Sequence, residues 1–174
     1  DVLDKSSLLA AKEIIHKEAG RINFLVNGAG GNAMQGTTRL EEILKDQIHD
    51  LSGTFFGLDT DGIARILDLN FQGTLLPTMV FATDMLEAGK GVILNISSLT
   101  AFHPLTKVPA YSAAKAAINN FTEWLAVHMA KTGVRVNAIA PGFFLTKQNR
   151  FLLIDEQTGN LSPRGEKIMA ATPM

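Results

Sequence analysis

Three short apolar runs limit what this chain can fold into: INFLV at residues 22–26, GVILNI at 91–96 and VRVNAI at 134–139. Each has the length of a strand and offers apolar side chains to both faces of a sheet. Long helix-like stretches separate them. Such strands alternating with helices predict an α/β domain whose doubly wound parallel sheet carries helices on both faces. Every crossover should be right-handed. Ligands of such sheets bind outside the carboxyl ends of the strands, which directs attention to VNGAGG, NISSLT and AIAPGFFLT.

The helical stretches have readable ends. KSSLLAAKEIIHKEAG places Leu8, Leu9, Ile14 and Ile15 near helical spacing, with Asp4 to cap the start and Gly20 to stop it. GIARILDLNFQGTLLPTMVFATDMLEAG predicts one long helix that Pro77 should bend. AYSAAKAAINNFTEWLAVHMAKTG predicts a long amphipathic helix ending at Gly133. Residues 31–62 are mixed, with one short helical piece expected around residues 40–48.

Composition closes off several function classes. With 174 residues, 46% hydrophobic and 19% charged, the chain suffices for a single domain with a sizeable core and is too apolar for disorder. A net charge of −1 gives no reason to expect nucleic acid, and no apolar run has membrane-spanning length. The absence of cysteine excludes disulfides, thiol catalysis and thiolate metal sites, and is compatible with a cytoplasmic location. His16, His49, His103 and His128 are scattered without metal-ligand spacing, so no metal is expected.

Gly28, Gly30 and Ala33 after the first strand match G-x-G-x-x-G/A, the dinucleotide fingerprint. A pyrophosphate loop should lead directly into a helix, but polar, turn-rich GGNAMQGTTRLEE follows. No acidic strand end follows at the ribose spacing, since Glu41 and Glu42 lie too close. Small residues there can instead let backbone pass close to a flat ligand. Further on, YSAAK sets Tyr111 and Lys115 at i and i+4, on one helix face. An ammonium beside a phenol favours phenolate, which suits a general acid–base. A solvated Tyr/Lys pair would look the same in isolation, but NISS ends a strand just upstream.

Taken together, these motifs resemble the short-chain dehydrogenase/reductase family over nearly the whole chain, and the resemblance implies a Rossmann-like fold binding NAD or NADP. VNGAGG resembles the family's N-A-G strand end, with Asn27, Ala29 and Gly30 along the adenosine side of the cofactor. Asp1 and Val2 resemble the pair that meets the adenine. Asn70 in LNFQG, Ser98 in NISS, Tyr111 and Lys115 match the catalytic tetrad, and Ile96 joins the cofactor-binding set. Pro141, Gly142 and Thr146 in PGFFLT match the motif that approaches the nicotinamide. The family's glycine-rich loop and last strand have no counterpart here. Residues 1–174 are therefore expected to be a single NAD(P)-binding domain lacking its N-terminal glycine-rich βαβ part and C-terminal strand, part of a longer protein. The interval from Asn27 to Asn70 is long for the family, so residues 35–60 read as an insertion.

The resemblance implies hydride transfer between a nicotinamide and a carbonyl or secondary alcohol. Tyr111 would exchange the proton, Lys115 would assist it and hold the nicotinamide ribose, Ser98 would position the substrate oxygen, and Asn70 would hold a water linking Lys115 to solvent. NGAGGN, PLTK and APGFFLTKQNR are similar to the bacterial sugar-acid branch resembling D-mannonate oxidoreductases, which makes a small sugar acid the expected substrate. Its carboxylate would be met by Arg150, with His103 on the opposite side; Lys107, Lys147, Gln148 and Asn149 are neighbouring polar candidates. Alternatives are reduction of a neutral sugar or an acyl-carrier ketone, or a non-catalytic NAD(P)-binding regulator. A serine hydrolase lacks its G-x-S-x-G elbow. The family also implies a homo-oligomer, dimer or tetramer. Phe121 and Trp124, on the helix after Tyr111, read as packing residues at a subunit interface rather than as a substrate-stacking pair.

Overall fold

The computed structural model describes residues 1–146 and 150–172. They form two compact units, Asp1–Ala140 and Pro141–Met174. In the first, helix α1 (Lys5–Ala19) precedes strand β1 (Phe24–Asn27); helices α2 (Thr60–Leu67) and α3 (Gly73–Ala88) lead to β2 (Gly91–Ile96), and α4 (Pro109–His128) leads to β3 (Val134–Ile139). The second unit holds α5 (Arg150–Leu153) and α6 (Pro163–Ala171).

The helix ends follow their capping residues. Asp4 caps α1 by accepting from the Ser6 amide at 2.9 Å, and Gly20 ends it at φ 85°. Pro109 opens α4, where its missing N–H removes no helical bond. Gly133 turns the chain into β3 at φ 77° with the Gly89 carbonyl so close that no side chain fits.

The sheet is parallel in the order β1-β2-β3, with Asn27 opposite Asn95 and Ile96 opposite Ile139. The strand ends that bear the motifs therefore share one edge. Ile93, Val134 and Val136 turn to one face and pack with Ala82 and Met85 of α3, Leu125 of α4 and Met129 just after it. Strands taken in sequence order with crossovers of one hand must put both helices on that face. Helices on both faces were expected; within the first unit the crossover helices supply one of the two layers, and Phe24, Val26 and Ile139 stand exposed on the other face. The parallel α/β architecture itself is as predicted.

Three local expectations need correction. β1 starts at Phe24 rather than at Ile22. The helical piece expected at 40–48 is a single 3-10 turn, Lys45–Gln47, because the Arg39 and Leu40 amides both bind the Gly53 carbonyl (2.9 and 3.0 Å) and close a loop instead. The single long helix is divided by a π-helical turn, Asp68–Gln72, between α2 and α3.

Asp84, buried in α3, ties α1 and the segment leading into β1 to the core. Its carboxylate meets Lys12 at 2.6 Å and His16 at 2.5 Å and accepts from the Ile22 amide at 2.9 Å. Burial opposes ionisation, but these partners outweigh it and lower the Asp84 pKa to about 2.

In the second unit Asp155 turns the chain by accepting from the Gln157 and Thr158 amides. Ser162 caps α6 through the Gly165 amide at 3.0 Å.

Candidate active site

The edge where β1 and β2 end gathers the motif residues of the first unit. After Asn27 the backbone runs through Gly28–Gly31 without entering a helix; its next regular element is the 3-10 turn Met34–Gly36. The loop is therefore not built as a pyrophosphate cradle.

Asn70 lies in the π-helical turn and is 0% exposed. Its Nδ2 donates to the carbonyls of Gly31 (2.7 Å) and Ile66 (2.8 Å), and its Oδ1 accepts from the Gly31 amide at 3.1 Å. The side chain thus holds the β1 loop like a paired strand, and both of its groups are engaged by protein. The Asn70 main-chain carbonyl accepts from Thr74 Oγ1 at 3.0 Å.

Lys115, one turn after Tyr111 on α4, is buried, and its Nζ donates to the Ile96 carbonyl at 2.8 Å. The same Nζ lies 5.6 Å from the centre of the Tyr111 ring. Burial lowers the lysine pKa to about 8. Gly30 closes this group: a Cβ there would lie 2.7 Å from Asn70 Oδ1 and 3.2 Å from Lys115 Nζ. Only glycine leaves both side chains where they are.

Ser98 caps the 3-10 turn Leu99–Ala101, its Oγ accepting from the Thr100 amide (3.2 Å) and Thr100 Oγ1 (3.0 Å). Among the described residues its own O–H donates to none, and the Tyr111 hydroxyl has no partner. Ser97 is structural: its Oγ donates to the Lys115 carbonyl at 3.2 Å and its amide to the Ile139 carbonyl at 2.8 Å. His103 is exposed in the segment between Ser98 and Tyr111. Asp1 is exposed, with its carboxylate accepting from the Leu3 amide at 2.9 Å, and Val2 packs near Gly73.

Pro141, Gly142 and Thr146 follow β3 and belong to the second unit, as does Arg150, whose exposed side chain opens α5. Lys147, Gln148 and Asn149 lie outside the described residues.

A buried polar chain behind the site was not foreseen. Thr78 Oγ1 donates to the Thr74 carbonyl (2.7 Å); Asn27 Nδ2 donates to Thr78 Oγ1 and to Asn95 Oδ1 (2.8 Å each); and Asn95 Nδ2 donates to Thr122 Oγ1 (2.9 Å). With the Thr74–Asn70 bond, it links the π-helical turn to α4 through both strands. Buried polar groups are tolerated when partnered in this way. The available signal was polar residues four apart, at 70, 74 and 78, on an otherwise apolar helix.

Residues 1–157 match the short chain dehydrogenase family. The chain belongs to that family. The uncharacterized oxidoreductase UxuB of Bacillus subtilis (strain 168) is 50% identical over 177 residues, covering 100% of this chain and 61% of the relative. A Haemophilus influenza protein provisionally named D-mannonate oxidoreductase, crystallised with bound NAD, is 48% identical, with a TM-score of 0.91 over 100% of this chain and 61% of that one. ElxO with NADP bound is 26% identical, with a TM-score of 0.69 over 87% of this chain and 54% of that one. The chain thus spans about 60% of the length of the curated relatives it matches. Among its described residues no helix is long and apolar enough to cross a membrane, and no cluster of acidic and histidine side chains could hold a metal ion.

Proposed function

We propose that the protein is an NAD(P)-dependent oxidoreductase acting on the carbonyl or secondary alcohol of a small sugar acid of the D-mannonate/D-fructuronate type. The observation that carries this reading is the buried Lys115 ammonium beside Tyr111, fixed by the Ile96 carbonyl and closed in by Gly30 and Asn70. The site suits a nicotinamide cofactor, because a Cβ at Gly28 would meet only Ile96 Cγ1, at 3.9 Å, and the bare backbone there leaves room for a flat ligand. Asn27, Ala29, Gly30, Ile96, Tyr111 and Lys115 would hold it, with Asp1 and Val2 toward the adenine. When bound, that cofactor supplies the donor or acceptor of the hydride.

The chain's own groups divide the remaining work. Tyr111 gives the substrate oxygen its proton in reduction and takes it in oxidation. Lys115 stabilises negative charge on the phenol oxygen, an effect strengthened where water is excluded. Ser98, whose hydroxyl is free to donate, orients the substrate oxygen. Asn70 fixes the Gly31 backbone against which Lys115 lies.

The sugar-acid assignment draws on the name of the Haemophilus relative and on Arg150, whose guanidinium suits a carboxylate. The decisive experiment offers a panel of keto sugar acids, their neutral CH₂OH analogues and acyl-carrier ketones with NADH or NADPH, and follows oxidation of the cofactor. Turnover of acids alone is expected; equal turnover of the neutral analogues would transfer the assignment to neutral sugars. We further propose a homo-oligomer. Exposed Met79, Leu86 and Trp124 line an apolar groove between α3 and α4, with Trp124 stacked on His128. A monomer by light scattering at micromolar concentration would refute it.

A further inference from the structure

Lys107 has φ 75°, and it is the one non-glycine residue with positive φ among the described residues. A long side chain rarely adopts that backbone conformation unless its surroundings impose it. What imposes it is the segment inserted between β1 and α2: the Thr38 amide donates to the Lys107 carbonyl at 2.9 Å. Thr38 is buried and its Oγ1 donates to the Leu40 carbonyl at 2.7 Å. The base of the insertion is in turn docked on α2 without slack. A Cβ at Gly36 would fall 2.3 Å from Ile66 Cδ1, and one at Gly62 would fall 2.4 Å from Gln35 Cβ.

Two residues after Lys107 the chain enters α4, where the Ser112 amide bonds back to the Val108 carbonyl at 3.0 Å. The direction in which α4 starts, and so the position of Tyr111 in its first turn, depends on the reversal at Lys107. We propose that Lys107 is a positioning residue for Tyr111 that acts through its backbone, clasped by Thr38, and not through its ammonium. This rests on Tyr111 being the acid–base. It assigns the insertion a task in the reaction: holding the proton-transfer residue in place from outside the sheet.

Charge and backbone conformation at Lys107 are separable by substitution. Lys107→Gly and Lys107→Asn both remove the charge but accept positive φ; Lys107→Ile removes the charge and resists it. Thr38→Pro deletes the donated N–H, and the extended Thr37 before it (φ −117°, ψ 125°) tolerates a following proline. The expected result is kcat within about twofold of wild type for Gly and Asn, and a loss of roughly tenfold for Ile and for Thr38→Pro, with KM for the sugar acid little changed. Amide exchange at Ser112, read without substrate or cofactor, should quicken in the Ile and Pro variants only. Losses in Gly and Asn equal to that in Ile, or losses confined to KM, would show that the ammonium matters and overturn the proposal. Unchanged kcat and exchange in Ile would also overturn it. If Tyr111→Phe keeps full turnover, the acid–base reading itself fails, and that outcome is independent of the ranking at Lys107.

Discussion

Two helical stretches deliver side chains to the same point at the edge of the sheet, and they do so by opposite means. α4 is unbroken: Tyr111, Lys115, Ile118, Thr122 and Leu125 follow one another along a stripe at helical spacing. The α2–α3 stretch is interrupted by the π-helical turn Asp68–Gln72, which turns Asn70 inward. The difference follows from side-chain length. Lysine has a four-carbon stem that reaches the Ile96 carbonyl from a regular helix. Asparagine is short, so the backbone must move toward its partners, and an extra residue in the turn does that. Widened turns of this kind are rare and concentrate at functional sites.

The largest effect should come from the unbroken helix. Tyr111→Phe keeps the ring and loses the exchangeable proton, so turnover should fall by about 10²-fold or more while nicotinamide binding, titrated by fluorescence, stays near wild type. Near-normal turnover would remove Tyr111 from its role. Lys115 adds a pH signature. Burial holds its pKa at about 8, below the ordinary 10.5, so its positive charge is present below about pH 8 and lost above it. Cofactor affinity should weaken as pH rises through that value. Between about 8 and 10.5 the unfolded chain binds the extra proton, so this group's contribution to folding stability rises with pH there, the opposite trend. Binding and denaturation titrations that moved together across this window would contradict the assignment.

The interrupted stretch is tested at Asn70. Asn70→Ala removes three hydrogen bonds at a fully buried position. A loss of about 2–4 kcal/mol in urea unfolding is expected, since the Gly31 backbone is left unpaired. Turnover should drop by roughly tenfold, less than for Tyr111→Phe, because Asn70 acts on the geometry around Lys115. A destabilised variant with unchanged turnover would leave the residue a purely structural role.

The polar chain joins the two stretches and should matter less than either end. Asn95→Leu cuts its link between β2 and α4, yet Asn27 keeps Thr78, and Thr122 keeps the Ile118 carbonyl at 2.7 Å. Destabilisation of about 1–2 kcal/mol is expected, with turnover within a few-fold of wild type. A loss of turnover matching that of Asn70→Ala would mean that the chain transmits position from α4 to Asn70.

Most of this architecture was legible in the sequence where one signal decides the outcome. β2 and β3 have the predicted bounds because turn residues flank short apolar runs, and α1 has them because Asp4 and Gly20 leave no better place to start or stop. Tyr111 and Lys115 were legible because a regular helix fixes i and i+4. The π-helical turn was not, since a single extra residue barely disturbs the apolar period of a helix hydrophobic nearly all round. Nor was the clasp at Lys107, which depends on a backbone bond between residues far apart in sequence. A helical piece was expected over residues 40–48, yet its apolar residues Ile43, Leu44 and Ile48 are all exposed; tertiary bonds at Gly53 outweighed local pattern.

The smallest expected effect decides what makes the interrupted stretch differ from α4. Pro77 sits inside α3, one turn beyond the wide turn, and cannot donate to the Gly73 carbonyl. Either this missing bond or the Asn70 clasp on Gly31 could be what opens the backbone at Asp68–Gln72. The clasp consists of two hydrogen bonds between the buried Asn70 side chain and the Gly31 backbone, whereas the missing bond only fails to oppose opening, so the clasp should dominate. Pro77→Ala then restores a donor but leaves the wide turn in place. The regained helix propensity and the small cavity left by the buried ring offset each other, so stability should change by no more than about 1 kcal/mol. Turnover should stay within about twofold, as nothing that touches the Asn70 side chain has moved. If Pro77→Ala instead reproduces the turnover loss of Asn70→Ala, the proline sets the turn and Asn70 merely occupies it, and α2–α3 would be a helix broken by its sequence, not one bent by its site.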